Sequence, residues 1–543
     1  VTNTYRFKTK PYKHQVKALK KLMKNKWGGA LLMEPRTGKT KVLIDYASIM
    51  HLRGHVNRVL VFCPAGVMGV WEKEIPVHCP VPHRITVWDK DARKEVALPK
   101  FGKDVLDFVI TNYDAAATPG SFRKDPKTGR VCYWRQYHKG HRYKPQPDQY
   151  LRDEYTRELV LDDEGNPQLD VMAQKLRSKT GGRFDFQKNL LAWDPQLVAL
   201  DESHRIKSPS AKKSTMLHRL GQKVPYKVIM TGTVVTKKKR IYDVYSQWLF
   251  LNRRRFVDET GETMTFAEFK DHFSVITKRD GYPKWLRNKN EGDLHKLMHK
   301  DAFSVLREDC FDLPPLTSQQ IPIHLDESAE VYDQMAEDMV ARIETGEITE
   351  ASIALTQSLR LRQLSGGVAK TSPTKDHPRG RLIIIGSEKL RTLEDRLEDL
   401  MEAGEHVIIG ASFRPDLQRI EKLCIKRKWK SFLVMGGVKR ADRDRYVKEF
   451  EAHEDGAVFI GNPAAASEGI DLRSAAIMIW YSLPQSWVHY RQFMDRNALH
   501  PGPRFVEYLL ASGADELVYE TLMEDGDVGK MMITSPKRLL RND

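Results

Sequence analysis

Asp201 and Glu202 are adjacent carboxylates at the start of residues 201–207, DESHRIK, directly after the apolar run 197–200 (LVAL). Two such charges at the end of a buried strand are costly unless something compensates them. A Mg²⁺ ion on a nucleotide would do so. Asp201 would hold the metal, through water, and Glu202 would position and deprotonate the attacking water. The plainer alternative is a solvated helix start with Asp201 as its N-cap. A second stretch bears on the choice. Residues 33–40 read MEPRTGKT, preceded by Ala30, Leu31 and Leu32 and followed by KVLIDYASIM. That is the strand–loop–helix setting a phosphate loop requires. Backbone N–H groups around Arg36, Thr37 and Gly38, with the helix N-terminus behind them, would cradle phosphates. Lys39 would reach the β- and γ-phosphates, and the Thr40 hydroxyl would ligate Mg²⁺. Met33 stands where the usual pattern has its first glycine. The preceding strand and the acidic pair downstream give Gly38-Lys39-Thr40 its weight, and favour a metal site over a cap.

These motifs need strands to present them. Short apolar runs recur at 58–63 (RVLVFC), 107–111 (DFVIT), 197–200 (LVAL) and 227–231 (KVIMT). A second series lies at 382–386 (LIIIG), 406–413 (HVIIGASF), 431–435 (SFLVM), 457–461 (AVFIG) and 476–480 (AIMIW). Continuous apolar strands between helical stretches indicate parallel sheets covered on both faces. Two such series indicate two α/β domains in tandem. The predicted boundaries are 1–251 for the first domain, 252–315 for a linking helical segment, 316–525 for the second domain and 526–543 for a basic tail. Residues 115–193 interrupt the first series and read as an inserted lobe.

Composition narrows the class. The chain has 543 residues, 41% of them hydrophobic, and a formal net charge of +17. Such an excess favours a polyanion partner, most simply nucleic acid, over a merely soluble basic enzyme. No apolar run approaches a membrane span. The start, VTNTYRFKTK, lacks a secretory apolar core. Five scattered cysteines show no CxxC pair, which suits a reducing cytoplasm.

The motifs in order resemble those of superfamily-two helicases and translocases, and specifically the SWI/SNF-type branch of these DEAD/DEAH-box-like ATPases. PYKHQ resembles the opening motif whose glutamine reads adenine, a role that would fall to Gln15. VLVFCPAGVMGVWEKEI resembles motif Ia, with its following Trp71 and Glu74. ITNYD resembles the next DNA-strand motif, DESHRIKSPSAK the branch's DEAHRIKN box, and Met230-Thr231-Gly232-Thr233 motif III. DVYSQWLFL and FAEFKDHF also fit this branch. In the second half GSEKLRTLEDRL, IIGASFR and MGGVKRADRDRYVKEF match in order, the last carrying Gly437 and Arg443. Ser467 to Leu472 resembles motif V, and YRQFMDRNALHPG motif VI, where Gln492 and Arg496 align.

The resemblance implies two RecA-like domains with ATP and Mg²⁺ between them. Gln15, Lys39, Thr40, Asp201 and Glu202 would come from the first domain. Arg496 would come from the second as the main arginine finger, with Gly469, Asp471 and Gln492 lining the nucleotide. Motif VI departs from the family: its second arginine falls on Leu499, or on His500 if one residue is inserted. His500 or Arg504 would then assist Arg496. Phosphates of a nucleic-acid strand would be gripped around Thr111, Thr231 and Ser467, with Arg443 on the same side, so base specificity should be low.

The leading expectation is a DNA-dependent ATPase that moves along duplex DNA in replication, recombination or repair. A compact core without a histone-reading module suits a bacterial or phage factor acting in the cytoplasm. A strand-separating helicase and a DNA-binding scaffold with weakened catalysis are the alternatives, and RNA stays open as the polyanion. In the inserted lobe, Phe122, Arg123, Tyr133, Trp134, Arg135 and their neighbours interleave charge with aromatics. They would either follow a nucleic-acid backbone or cover the first domain as a solvated flap. Cys132, His138 and His141 lack the second cysteine pair of a zinc site.

Overall fold

Two parallel sheets organise the computed structural model. It describes residues 5–25, 27–88, 98, 104–117, 123–124, 131–132, 193–234, 241–279, 282–312, 314–345, 347–348, 351–371, 381–466 and 470–524. The chain divides into two compact units. The first comprises Val1–Met33, Gly38–Val234 and Tyr242–Ser304; the second comprises Glu34–Thr37, Val235–Ile241 and Val305–Asp543.

The first unit is built on β1 (Gly28–Met33), β2 (Arg58–Cys63), β3 (His83–Val87), β4 (Leu106–Asn112), β5 (Leu197–Asp201) and β6 (Tyr226–Met230), with β7 (Ala302–Val305) at one edge. The sheet order is β7-β1-β6-β5-β2-β4-β3. Every pairing from β1 through β3 is parallel. β5 is buried along its whole length, as a strand covered on both faces must be. Helices supply the cover. α1 (Lys13–Lys24) buries Ala18, Leu19 and Leu22 and exposes Lys17, Lys20 and Lys24, the stripe of a helix with one face on a core. α2 (Lys39–Leu52) is buried continuously from Lys41 to Met50. α3 (Met68–His78) buries Met68, Trp71 and Ile75 at helical spacing.

The second unit carries β8 (Leu316–Pro322), β9 (Val407–Ala411), β10 (Ser431–Val434), β11 (Val458–Gly461), β12 (Ile477–Ser482) and β13 (Arg504–Leu510). Their order is β8-β13-β12-β9-β11-β10, again all parallel. The α/β class with two tandem parallel-sheet domains is therefore as the sequence implied. One strand differs. Leu382–Ile384 lies outside this sheet and pairs antiparallel with Val368–Lys370, its side chains exposed. Three residues with neither face covered cannot supply the burial an interior strand needs. The inserted lobe and basic tail fall almost entirely outside the described residues, and His138 and His141 lie outside them. Among the described residues no helix is long and apolar enough to cross a membrane. Among the described residues Cys63, Cys79, Cys310 and Cys424 form no disulfide.

Candidate nucleotide site

Sheet register brings the motifs of the first unit together. Leu31 of β1 pairs with Met230 of β6, and Met230 pairs with Asp201 of β5. The Thr231 N–H donates to the Leu31 carbonyl at 3.1 Å. The phosphate-loop motif, the Asp201-Glu202 pair and the Thr231-Gly232-Thr233 motif thus leave the same carboxyl edge of one parallel sheet. That edge is where open α/β sheets place their ligands.

The loop is shaped by backbone conformations few side chains tolerate. Arg36 has φ 72° and Gly38 φ 84°. A left-handed non-glycine residue costs about 1–2 kcal/mol, so Arg36 marks a strained turn of the kind that collects N–H groups into a concavity. At Gly38 an added Cβ would lie 2.2 Å from Gln15 Nε2. Glycine is therefore required on two counts, and Gln15 packs directly against the loop. Gln15 is also anchored through Oε1, which accepts the Tyr12 N–H at 3.0 Å. Lys39 opens α2 beside Thr40, and its Nζ donates to the Met33 carbonyl at 2.8 Å.

The acidic pair occupies contrasting environments. Asp201 is 7% exposed. Burial, then the neighbouring Glu202 charge, push its carboxyl above the usual range, against the pull of Lys39 and a hydrogen bond from Trp71. That bond, Trp71 Nε1 to Asp201 Oδ2, is 2.9 Å long. Glu202 stands at φ 54°, which turns the chain sharply off β5. Burial works against its charge as well, but His204, Lys39 and the Thr231 hydroxyl together outweigh it and hold Glu202 low. Glu202 Oε2 lies 3.3 Å from His204 Nδ1 and accepts from Thr231 Oγ1 at 3.2 Å. His204 Nδ1 and Thr231 Oγ1 are themselves 3.1 Å apart. Ser203 Oγ donates to Gln247 at 2.6 Å, and Gln247 Nε2 donates to the Val234 carbonyl at 2.8 Å. This second tie joins the acidic loop to the segment after Thr233. The links from this turn to Thr231 and to Gln247, on the helix Asp243–Leu251, have no signal in spacing, because they join separate elements.

The second unit holds the remaining predicted residues. Arg496 is buried, and its Nε and Nη1 donate to the Gln492 and Ile470 carbonyls at 2.7 and 2.8 Å. Gln492 lies on α4 (Trp487–Met494), 6% exposed. The loop tip Glu34–Thr37 groups with this unit by contacts, and there Arg36 lies 2.8 Å from Asp471. His500 Nδ1 lies 2.8 Å from the Arg473 carbonyl at an exposed position. Arg504 is 6% exposed with its Nε unpartnered. Burial, then nearby Arg307, lower its pKa.

Of the expected nucleic-acid contacts, Thr111 is fully buried and its hydroxyl donates to the Trp88 carbonyl at 2.9 Å. Thr231 is likewise buried, within the Glu202 network. Arg443 is half-buried on the helix Arg440–Glu451. Ser467 and Gly469 lie outside the described residues. Trp71 sits within a motif recognised from sequence, but its bond to Asp201 spans 130 residues and no local pattern announces it.

Known proteins with related sequences or folds are large or distant. The chain is 25% identical over 297 residues to Protein CHROMATIN REMODELING 4 of Arabidopsis thaliana, which covers 53% of this chain and 12% of that protein. It is 24% identical over 343 residues to the human DNA annealing helicase and endonuclease ZRANB3, covering 61% of this chain and 29% of that protein. The chain thus spans less than a third of the length of these relatives. Among solved structures, the Sulfolobus solfataricus SWI2/SNF2 ATPase core in complex with dsDNA is similar at 17% identity and a TM-score of 0.38, with 99% of this chain and 98% of that chain covered. The helicase conserved C-terminal domain matches residues 388–498. The SNF2-related domain matches residues 12–366, well over half of the chain, and the protein therefore belongs to that family, the SWI/SNF-type branch of superfamily two.

Proposed function

We propose that this protein is a DNA-dependent ATPase that couples ATP hydrolysis to movement along duplex DNA. The observation that carries the reading is the row Leu31–Met230–Asp201, which sets a phosphate loop, an acidic pair and a hydroxyl-bearing turn on one sheet edge. Membership of the SNF2-related family and the similarity to the human DNA annealing helicase and endonuclease support it.

The residues fit a magnesium nucleotide. The Gly38 turn, where the Gln15 amide packs in the place a Cβ would take, brings the residue assigned to adenine up against the loop backbone. Asp201 carries a buried charge raised against its neighbour, which a divalent cation would neutralise. Asp201 and Thr40 would hold Mg²⁺, which supplies charge neutralisation at the phosphate oxygens. Lys39 would bind the β- and γ-phosphates, and Gln15 the adenine edge. Glu202, held low by its neighbours, is charged at neutral pH and can accept a proton from water. That water attacks the γ-phosphorus, the bond to the bridging oxygen breaks, and ADP and phosphate leave. Arg496 would meet the charge that develops there.

Glu202→Gln should abolish DNA-stimulated turnover by roughly 10²-fold or more while nucleotide binding persists. Unaltered turnover in that variant would remove the reading. Triplex displacement without unwinding of a forked duplex would identify translocation; unwinding of the fork would identify a strand-separating helicase instead. Replication, recombination or repair in a cytoplasm is the setting this activity would serve.

A further inference from the structure

Two aromatic side chains hold Asp201 from different directions. Trp71, on α3, is 0% exposed, and its indole N–H is bonded to Asp201 Oδ2. Tyr113, which opens the short helix Tyr113–Ala117 directly after β4, is 1% exposed, and its hydroxyl donates to the Asp201 main-chain carbonyl at 2.8 Å. A tryptophan has one polar atom, and a buried one needs a partner. Here that partner is a carboxylate.

We propose that Trp71 and Tyr113 are positioning residues for metal binding at Asp201, the indole fixing the plane of the carboxylate and the phenol fixing the backbone just before the Glu202 turn. The inference rests on the nucleotide-site reading above. A carboxylate whose one oxygen is held cannot rotate freely about its last bond, so its orientation is set before a cation arrives. The Tyr113 bond acts on the main chain. It fixes the carbonyl at the last residue of β5, immediately before the left-handed Glu202, and so fixes the offset between the two acidic side chains. Partners of this kind, one bond removed from a metal, are worth about 10–100-fold in metal affinity or activity when lost.

Trp71→Phe keeps an aromatic ring and removes the donor; Tyr113→Phe removes a single oxygen. Binding of a fluorescent ATP analogue to the full chain, titrated with Mg²⁺, reads the effect without turnover. Trp71→Phe should raise half-saturating Mg²⁺ by about 10–100-fold, with the chain still folded and metal-free analogue binding unchanged. Tyr113→Phe should move it in the same direction by less. Turnover at saturating Mg²⁺ should largely recover in both, since Asp201 itself is intact; a merely structural lesion would not give that split. A folded Trp71→Phe chain with wild-type Mg²⁺ dependence overturns the proposal, as does equal weakening of metal-free and metal-bound binding. If Trp71→Phe does not fold, an unshifted Tyr113→Phe overturns it. Asp201→Asn separates the two levels: if it leaves the Mg²⁺ dependence intact, the nucleotide-site reading itself fails.

Discussion

At the residue scale, two positions decide how far the site departs from its family. Gly38 is pinned by its positive φ and by Gln15, whose amide nitrogen an added Cβ would meet at 2.2 Å. Gly38→Ala must therefore shift either the loop or the side chain assigned to adenine. The expected outcome is a loss of ATP affinity of roughly tenfold or more together with reduced preference for ATP over GTP. A contact of about 1.4 kcal/mol corresponds to that factor. Equilibrium binding of the two nucleotides checks it, and an unchanged preference would separate Gln15 from base reading. The other position is Arg504. Motif VI offers Leu499 where the family has its second arginine, and His500 is engaged with the Arg473 carbonyl. Arg504 is buried with an unpartnered Nε, a cost that an anionic phosphate would offset. If it supplies the missing charge, Arg504→Ala lowers turnover by roughly 10³-fold and His500→Ala does little. The reverse order of effects would assign the role to His500.

At the element scale, the second unit contains a titrating group built into its frame. Asp416 lies in the first turn of the helix Arg414–Arg427 and is 1% exposed. Its Oδ2 accepts from Ser482 Oγ at 2.8 Å, while Oδ1 has no partner. Burial pushes it up to about 7, with Ser482, Lys389 and Arg419 pulling down and Asp515 pushing up. The unfolded value is about 3.9, so the folded state binds the proton more tightly. The stabilisation is complete below about pH 4 and is lost as pH rises through about 7. Asp416→Asn mimics the protonated form, so melting temperatures of variant and wild type should converge below about pH 4 and separate by about 2–4 °C per kcal/mol at pH 8. Parallel profiles would show that Asp416 does not titrate in this range. The same element explains what sequence can reveal. β5, β9 and β11 announce themselves as continuous apolar runs, and the Gly38-Lys39-Thr40 loop stands out because a strand precedes it. β13 does not, since Arg504 and Glu507 interrupt it; Glu507 is tolerated because Arg396 grips it at 2.7 Å. The bonds from Trp71 and Tyr113 to Asp201, and from Thr231 to Glu202, join segments far apart in the chain that the packing of the sheet brings together, which no local pattern encodes.

At the scale of the whole molecule, the governing quantity is charge. A net +17 cannot be placed on a specific base code, because the predicted contacts go to phosphates and those carry no sequence. Part of the excess is visible on α1, which exposes Lys13, Lys17, Lys20 and Lys24 on the face away from its apolar stripe. Charge of this kind acts by releasing counterions from the nucleic acid, so affinity falls with salt as a power law. For about 6–10 phosphate contacts, duplex affinity should drop by roughly 10³–10⁵-fold between 50 and 200 mM salt. The bonds around Asp201 and Glu202 in the candidate nucleotide site are buried within the first unit, and these are screened far less than surface charge. ATP binding in the absence of DNA should therefore change little over the same range, and DNA-stimulated turnover should be recovered by adding more duplex. Duplexes of unrelated sequence should bind alike. The measurement is a salt titration of duplex affinity beside one of nucleotide affinity on the same preparation. A flat DNA profile, or a strong preference for one sequence, would mean that base contacts rather than phosphates dominate binding. Equal salt sensitivity of both ligands would instead place the basic excess at the nucleotide site.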